Sequence, residues 1–371
     1  MSTVKVNAIT DASGGNTATI NSMTPTADSL QGFRNRIING DMRIAQRGTA
    51  AVTTSSSFPV DRFVVVNSTD GAFSAQQDSS APAGFVNSVK MTTTTADGTL
   101  TTTQGCFFFQ RIEGTNIADL GWGTANAKTV TLSFWVRSSL TGTFGGSLRN
   151  SAADRSYPYT YTISVADTWE YKTVTIAGDT SGTWLTTTGE GVLISFGLGL
   201  GPDRSGTAGA WNSNNNLSAT GAVSVIGTLN ATWFVTGVQL EVGSVATPFE
   251  RIDYGTELAL CQRYYWKITG STNVPFGSGF NESTTSGQSI TFFPVEMRTA
   301  PTALEQSGTA SHYRIRHAAT DTNLSAVPVF QNASNWLAWT SATVASGLTA
   351  GQGSFLRSNN ASAYLAWSAE L

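Results

Sequence analysis

The sequence of 371 residues predicts an all-β protein with an extended N-terminal arm, a central β-sandwich and a C-terminal β-sandwich domain. Charged residues are only 12% of the chain, so its polar surface consists mainly of Thr, Ser, Asn and Gly, which favours strands and turns over helices. Apolar and polar residues alternate with a period of two in many short runs. The 37 glycines supply turns between these runs, and the 10 Trp and 19 Phe provide core material.

Residues 1–33 form a distinct N-terminal arm. Apolar residues mark two short strands, one with Val4, Val6 and Ile9 and the other with Ile20, on either side of a Gly-Gly turn. Two short strands are not stable alone in water. We therefore expect these four side chains to dock onto another surface, and the arm to be ordered only in an assembly.

Residues 34–251 are predicted to form one sandwich, because strand patterns recur in them at the spacing typical of a jelly roll. The candidates are Val60–Val66, Phe85–Thr92, Gly105–Ile112, Thr129–Arg137, Pro158–Val165, Trp169–Ile176, Val192–Leu200 and Trp233–Val242. The clearest is Thr129–Arg137, in which Val130, Leu132, Phe134 and Val136 form one apolar face. Trp135 then lies on the opposite, more polar face.

The end of this sandwich is marked by the run Trp233–Val242. A plain alternation places Phe234, Thr236, Val238, Leu240 and Val242 on one face, and Gln239 and Glu241 on the other. Pro248 cannot donate to a strand ladder and ends the pattern.

The remaining chain divides into a connection and a second β-domain. Residues 252–265 are a linker with a possible short helix, because Leu258, Cys261 and Tyr265 share one helical face. Residues 266–371 form the C-terminal β-domain, with strand candidates at Gln288–Val295, Ala326–Gln331, Trp336–Thr340, Gly353–Arg357 and Ala363–Ser368.

Composition excludes several classes of protein. The net charge is −3 and no basic stripe exists, so nucleic-acid binding is not expected. No apolar run approaches the ~18 residues that suggest a membrane span, and no secretory signal is expected at the N-terminus. Cys106 and Cys261 stand among large apolar residues and are expected to be buried free thiols.

The sequence does not predict an enzyme, a cofactor or a metal site. Its two histidines, His312 and His317, lie in a strand-like run without a nucleophile motif, and are expected to be exposed. Glu113, Glu190 and Asp203 could in principle cleave a glycan, but nothing in their spacing marks them as a pair.

Aromatic residues are the candidate ligand-binding groups, since the apolar face of a sugar ring suits an aromatic surface. Trp135 would share its face with Arg137, and with Gln239 and Glu241 if their strands pair. In the C-terminal domain, Trp336 and Trp339 should face opposite ways, one in the core and one exposed. Trp336 lies nearer a turn and is the expected exposed residue.

A second aromatic and polar group in the C-terminal domain combines Tyr313 with Arg314 and Arg316. Of the two tryptophans considered, we expect Trp336→Ala to weaken attachment to cells more than Trp135→Ala.

Several segments resemble bacteriophage tail-fibre and related virion structural proteins. They are Lys5-Val-Asn-Ala-Ile-Thr-Asp-Ala-Ser-Gly-Gly-Asn-Thr-Ala, Arg34-Asn-Arg-Ile-Ile-Asn-Gly-Asp-Met-Arg-Ile-Ala-Gln-Arg-Gly, Cys261-Gln-Arg-Tyr-Tyr after the Trp233 strand, and Phe292-Phe-Pro-Val-Glu-Met-Arg-Thr-Ala-Pro-Thr. The strands that begin at Val130, Thr168 and Trp233 resemble those of jelly rolls like carbohydrate-binding modules.

The resemblance implies a structural component of a phage particle, made in the host bacterial cytoplasm. It implies a homotrimeric tail fibre that binds bacterial surface glycan and joins a tail adaptor, or another virion protein, through Val4, Val6, Ile9 and Ile20. A head-decorating or collar fibre without a receptor role is an alternative, and a glycan depolymerase is another.

Overall fold

A computed structural model describes residues 33–371, and they form an all-β structure with one α helix. The expected docking residues of the arm, Val4, Val6, Ile9 and Ile20, lie outside the described residues. None of the helices in the described part combines the length and the apolar character needed to cross a membrane.

The chain divides into two compact units. Of the described residues, the first unit contains 33–43, Ala50–Ser57 and Phe63–Ile252. The second contains Ile44–Thr49, Phe58–Arg62 and Asp253–Leu371. Two short segments of the expected 34–251 sandwich thus cluster with the C-terminal residues.

Thirteen strands of the described chain precede residue 253. They are β1 (Ser57–Val60), β2 (Phe63–Asn67), β3 (Ala72–Asp78), β4 (Ser88–Thr95), β5 (Gly105–Glu113), β6 (Val130–Ser138), β7 (Gly142–Arg149), β8 (Ser156–Ile163), β9 (Glu170–Ile176), β10 (Glu190–Leu200), β11 (Ser205–Gly206), β12 (Ser218–Ala219) and β13 (Thr232–Val242). Short 3₁₀ helices span Gly114–Asn116, Ala118–Leu120 and Pro202–Arg204.

These strands form a jelly-roll-like sandwich of two main sheets. One is six-stranded, in the order β1-β2-β5-β10-β7-β8, and the other is five-stranded, in the order β3-β4-β13-β6-β9. The predicted apolar face of β6 is confirmed, since Val130, Leu132, Phe134 and Val136 are all fully buried.

Aromatic rings from the two sheets meet in the sandwich core. Phe134 of β6 makes an edge contact with Phe196 of β10 at 5.0 Å between ring centroids. Trp233 of β13 lies 5.8 Å from Phe108 of β5 and 5.5 Å from Phe196. Such pairs add to the free energy gained by burying the rings. Cys106, at the edge of this core, is a buried free thiol as predicted, and burial raises its pKa.

Strand β13 contains a β-bulge that the sequence pattern did not show. Trp135 of β6 pairs with Thr236, and Ser133 pairs with Gln239, so two residues of β13, Gly237 and Val238, stand opposite one residue of β6. The bulge reverses the alternation. The predicted single face for Phe234, Thr236, Val238 and Leu240 is therefore wrong: the first two share the outer face with Gln239 and Glu241.

Residues 35–40 cover the edge of β13 beyond the bulge. The Arg36 amide donates to the Leu240 carbonyl at 2.9 Å, and the Val238 amide donates to the Gly40 carbonyl at 2.9 Å. The Asn35 side chain accepts from the Leu240 amide at 3.0 Å and donates to the Val238 carbonyl at 3.1 Å. The Arg-Asn-Arg-Ile-Ile-Asn-Gly segment thus satisfies a strand edge that would otherwise be open.

The C-terminal segment of the second unit, Asp253–Leu371, starts with the helix α1 (Tyr254–Gln262), inside the segment expected to hold a short helix. The Asp253 side chain caps it by accepting from the Gly255 amide at 3.0 Å. The strands that follow are β14 (Tyr265–Thr269), β15 (Pro275–Asn281), β16 (Ser286–Phe292), β17 (Glu305–Gln306), β18 (Tyr313–His317), β19 (Thr320–Asn323), β20 (Val329–Ala333), β21 (Leu337–Thr343), β22 (Gly353–Ser358) and β23 (Tyr364–Ser368), with a 3₁₀ helix at Ala310–His312.

Two sheets enclose the core of this unit. One is three-stranded, in the order β14-β23-β17, and the other is seven-stranded, in the order β19-β18-β22-β15-β16-β21-β20. Their core holds Phe276, Tyr313, Leu356 and Trp367, with Trp266 stacked on Trp367 at 5.4 Å. The seven-stranded sheet buries one face in this core, and its other face lies outward.

The two early segments of this unit are fixed to it by charged contacts. Glu370 forms ion pairs with Arg62 and with Arg47, the latter at 3.5 Å. The guanidinium groups of these arginines lie 3.5 Å from the ring centroids of Tyr264 and Tyr265, respectively. Residues distant in sequence therefore complete one unit.

Candidate functional site

A cleft of about 590 Å³ lies on the outer face of the five-stranded sheet of the first unit. It is lined by Phe85, Trp135, Tyr171, Gly237, Ala246, Thr247, Pro248, Phe249 and Arg251. Its size falls in the range of small-molecule sites, and its lining is mostly aromatic and apolar, as in such sites generally.

The floor of the cleft is formed by Trp135 and Tyr171. They are register partners on β6 and β9, and their rings lie 5.4 Å apart at 48°. Trp135 points away from the core because its strand neighbours Phe134 and Val136 point into it, and Tyr171 lies on the same face because it pairs directly with Trp135. Tyr171 is 43% exposed and Trp135 is half-buried, so both rings offer accessible surface.

Gly237 in the bulge leaves room for the rings of Trp135 and Phe85. Its φ is +63°, a left-handed conformation that favours glycine. A Cβ atom there would lie 2.7 Å from the Phe85 ring and 3.2 Å from Trp135 Cδ1. The bulge therefore lets two aromatic side chains of the cleft approach the backbone of β13.

Beside the floor, one wall of the cleft consists of two phenylalanine rings and an arginine side chain. Phe85 and Phe249 meet edge to face at 5.2 Å. The guanidinium group of Arg251 lies 4.9 Å from the Phe85 ring centroid and 5.9 Å from that of Phe249, and it also donates to the Gly84 carbonyl. Arg251 is exposed, so it keeps N–H groups available at the cleft.

The wall is held in place by a buried polar network. The carboxylate of Glu241 accepts from the Thr247 amide at 2.8 Å, from the Thr247 hydroxyl at 2.6 Å and from Gln239 Nε2 at 2.8 Å. Gln239 Oε1 accepts from the Glu250 amide at 2.7 Å. Gln239 and Glu241 thus share the face of Trp135, but they are buried beneath residues 246–251 and position that segment.

The same sheet face continues into a cationic group beside the cleft. Phe234 of β13 pairs with Arg137 of β6 and with Lys90 of β4. Both cations lie over its ring, at 5.0 Å and 5.6 Å from the centroid. Arg137 also pairs with Asp167 at 3.4 Å. These groups can donate hydrogen bonds to a polar ligand that extends along the face.

The site residues expected in the C-terminal domain do not come together as predicted. Tyr313 is fully buried, and its hydroxyl donates to the Tyr364 carbonyl at 2.7 Å, so its expected place in a surface patch is wrong. Arg314 lies on the outer face of β18, pairs with Asp321 at 3.5 Å and donates to Asn273. Strand alternation separates the two side chains.

Trp336 is exposed at 56%, as expected, and precedes β21. Trp339 is also exposed, at 41%, so the prediction that one of the two lies in the core is wrong. The inward positions of β21 are taken by Ala338, Thr340 and Ala342.

The candidate catalytic groups have structural partners. His317 is buried and contacts Thr322 at 3.0 Å, which corrects its expected exposure. Glu113 and Glu190, unpaired by sequence spacing, are register partners on β5 and β10, and Glu190 pairs with Arg111 at 2.6 Å. Within residues 33–371, no group of three or more His, Cys, Asp or Glu side chains could hold a metal ion.

Nothing in the sequence marked Phe85, Phe249 and Arg251 as cleft residues. Phe249 and Arg251 lie outside the predicted strands, and Phe85, the first residue of the predicted strand Phe85–Thr92, lies in the loop before β4. The contact of Phe85 with Phe249 joins residues 164 positions apart in the chain. The one available signal was the glycine of Val-Thr-Gly-Val in an otherwise regular strand, which suggests a bulge or a close approach.

The comparisons with known proteins give distant likenesses. No protein-family model matches the sequence, and no curated protein matches it. Among solved structures, the enzymatically active domain of tailspike protein 4 of bacteriophage CBA120 is similar, with 13% identity and a TM-score of 0.31 over 57% of this chain and 22% of that one. The chain thus spans about a fifth of that structure.

Two similar structures are carbohydrate-binding modules. A CBM4 structure has 18% identity and a TM-score of 0.30, covering 55% of this chain and 98% of that one. A family 11 module of Clostridium thermocellum, in complex with a mixed-linked tetrasaccharide, has 12% identity and a TM-score of 0.27, covering 54% and 99%. At these scores the likeness is too distant to assign a ligand.

Proposed function

We propose that this protein binds a glycan in the cleft of its first unit, and that it does so as a structural component of a bacteriophage particle. The observation that carries the glycan proposal is the pairing of Trp135 and Tyr171 on an open sheet face, opposite the exposed cation Arg251. Aromatic rings offer a flat apolar surface to the C–H face of a sugar, and a guanidinium group donates hydrogen bonds to its hydroxyl or acidic groups.

The cleft favours a binding role over a catalytic one. None of Glu113, Glu190 and Asp203 lines it. No Asp or Glu of the described residues lines the cleft, and the carboxylate of Glu241, which lies beneath its wall, accepts from the Thr247 amide and hydroxyl. We therefore propose a protein that recognises a glycan and does not cleave it.

The place in a phage particle is supported by the sequence motifs described above. A tail fibre that contacts the bacterial surface glycan and attaches through residues 1–33 to a tail adaptor accommodates both the motifs and the cleft. A homotrimer would present three clefts, and several weak contacts would then act together. A head-decorating or collar fibre is the alternative, and the virion protein that binds residues 1–33 distinguishes the two.

Removal of Trp135 tests the glycan proposal. The full-length protein is applied to an array of bacterial surface oligosaccharides, and the strongest ligand is titrated by calorimetry against Trp135→Ala and Trp336→Ala. Loss of a stacked ring costs on the order of 1–3 kcal/mol, by analogy with base stacking. We expect Trp135→Ala to weaken binding roughly 5- to 150-fold.

Trp336→Ala is the matched control, because it removes an exposed tryptophan outside the cleft. We expect it to bind as the unchanged protein does, which reverses the order predicted from the sequence. Equal binding by Trp135→Ala and the unchanged protein, with folding intact by circular dichroism, would contradict the cleft as the glycan site.

A further inference from the structure

The outward face of the seven-stranded sheet of the second unit carries a large apolar patch. Six large side chains, each 41–69% exposed, form this patch: Phe280, Ile290, Phe292, Val329, Trp339 and Phe355. Their strand neighbours face the core, so each residue is placed outward by the alternation of its strand. The sheet therefore presents apolar side chains on both of its faces.

The patch is continuous across the middle strands. Phe355 pairs with Ser278, Ser278 with Ile290, and Ile290 with Trp339, so these residues form one row over β22, β15, β16 and β21. At a strand spacing of about 4.8 Å, the row is roughly 14 Å long. Single exposed apolar residues are ordinary on a protein surface, but a contiguous set marks an interaction surface.

The size of the patch suits a specific interface. Aromatic side chains bury about 150–250 Å² each. At their observed exposures, the four aromatic residues of the patch offer roughly 400 Å² of apolar surface, to which Ile290 and Val329 add. The patch is therefore as large as the largest apolar patch of a typical monomeric protein, about 300–600 Å². With the polar groups between them, the face approaches the ~800 Å² per partner of a standard interface.

The charges around the patch have opposite signs on different borders. At the β18 border, Arg314, Arg316 and Arg357 share the single carboxylate of Asp321, which leaves an excess of two positive charges. Glu282 and Glu296 lie exposed at other borders. Neither carboxylate has an ion pair within residues 33–371, and both accept from neutral groups, including Gln288 for Glu282 at 2.6 Å and Asn335 for Glu296 at 3.4 Å.

We propose that this patch is a surface through which copies of this chain associate. The row at its centre is uncharged, so identical patches meet without like-charge repulsion. The basic border of one copy can face an acidic border of another, which gives the contact a defined direction. The proposal does not depend on glycan binding, since the cleft and the patch belong to different units.

A charge placed in the centre of the row tests the patch. The mass of the purified full-length protein is measured by light scattering after size exclusion, and we expect a multiple of 39.1 kDa at micromolar concentration. Ile290→Lys would bury an unpaired charge in the contact, and we expect it to raise the dissociation constant at least about 100-fold. A protein of 39.1 kDa should result, with unchanged circular dichroism.

Val86→Lys is the matched control, since Val86 is an exposed apolar residue of the first unit. We expect it to leave the mass unchanged. A monomeric unchanged protein, or an Ile290→Lys variant that associates as the unchanged protein does, would overturn the proposal. Glycan titration of the same variants reports separately on the cleft.

Exchange of charges tests whether the partner is a second copy. Arg316→Glu and Glu282→Arg should each weaken association about 5- to 10-fold, because each places like charges at the contact. The double variant restores opposite charges and should recover most of the affinity. Weakening by both single changes without recovery in the double variant would contradict the proposed arrangement of basic against acidic borders.

Discussion

At the scale of single residues, Gly237 has two separable roles. Its φ of +63° disfavours any residue with a Cβ, and the space beside it is filled by Phe85 and Trp135. Gly221 has a similar φ of +78° but nothing within 4 Å of its Cβ position. A comparison of the two glycines therefore separates backbone strain from steric conflict in the cleft.

We expect Gly221→Ala to lower the free energy of unfolding by about 1–2 kcal/mol, the cost of a left-handed conformation. Gly237→Ala should cost roughly 2–4 kcal/mol, since the Phe85 and Trp135 rings must also move. It should weaken glycan binding as well, whereas Gly221→Ala should not. Urea unfolding measures the change in stability, and calorimetric titration measures the change in glycan binding. Equal losses of stability in Gly221→Ala and Gly237→Ala would show that the Phe85 and Trp135 rings move aside without a loss of free energy.

At the scale of strands, alternation predicted the faces correctly only where strands are regular. The face of β6 followed from its sequence because no bulge interrupts Val130–Ser138. On β13, the extra residue in the bulge at Gly237 places every later side chain on the face opposite to the one that plain alternation predicts. On β18, the same period-two rule places Tyr313 inward and Arg314 outward, so grouping them as a patch ignored the pattern.

The loop residues of the cleft could not be predicted from local sequence. Phe249 and Thr247 reach the sheet face because the buried carboxylate and amide of Glu241 and Gln239 bind the backbone of residues 247–250. A buried polar residue on a strand suggests a partner, but the partner is set by the fold of the whole sandwich.

The segment Phe58–Arg62 carries a pH-dependent contribution to stability. Burial raises the pKa of Asp61, while hydrogen bonds from the Gln46 amide and side chain partly oppose this shift. Because the pKa of Asp61 is higher in the folded protein than in the unfolded chain, its protonated form stabilises the fold. This contribution is complete below the unfolded pKa, 3.8, and is lost as the pH rises through the folded pKa.

Asp61→Asn removes this proton-binding group. The free energy of unfolding of the variant, relative to the unchanged protein, should therefore rise as the pH is raised from 3.8 through the folded pKa of Asp61. Altered hydrogen bonds with Gln46 lower the free energy of unfolding of the variant by the same amount at every pH. They therefore offset the two curves of unfolding free energy against pH, but they do not change how the difference between the curves varies with pH. Urea unfolding at several pH values measures the difference, and two parallel curves would show that Asp61 is not the titrating group.

At the scale of the whole molecule, the second unit is discontinuous in sequence. The sequence predicts a domain boundary after residue 251, where the strand pattern that begins at Trp233 has ended. This boundary places Gln46, Arg47 and Arg62 in the sandwich. The structure clusters these residues with Asp253–Leu371. Ion pairs with Glu370, the next-to-last residue, join the early segments to this unit. A local sequence pattern cannot predict these pairs, because their partners are more than 300 residues apart in the chain.

This discontinuity predicts that residues 253–371 do not fold stably alone. Without the early segments, Glu370 loses both arginines, and the rings of Tyr264 and Tyr265 lose their cations. Breaking a buried ion pair by removal of one partner costs about 3–5 kcal/mol, a large part of the stability of a domain of this size. The isolated fragment should show a broad thermal transition, well below that of the full chain.

Addition of a peptide of residues 44–62 should restore a sharp transition at a higher temperature, because it supplies Arg47, Asp61 and Arg62 together. The same peptide with Arg47→Gln and Arg62→Gln is the matched control, since it keeps the apolar contacts and removes both partners of Glu370. Circular dichroism melts with each peptide compare the two. An isolated fragment as stable as the full chain, or equal rescue by both peptides, would show that the paired arginines do not hold the second unit together.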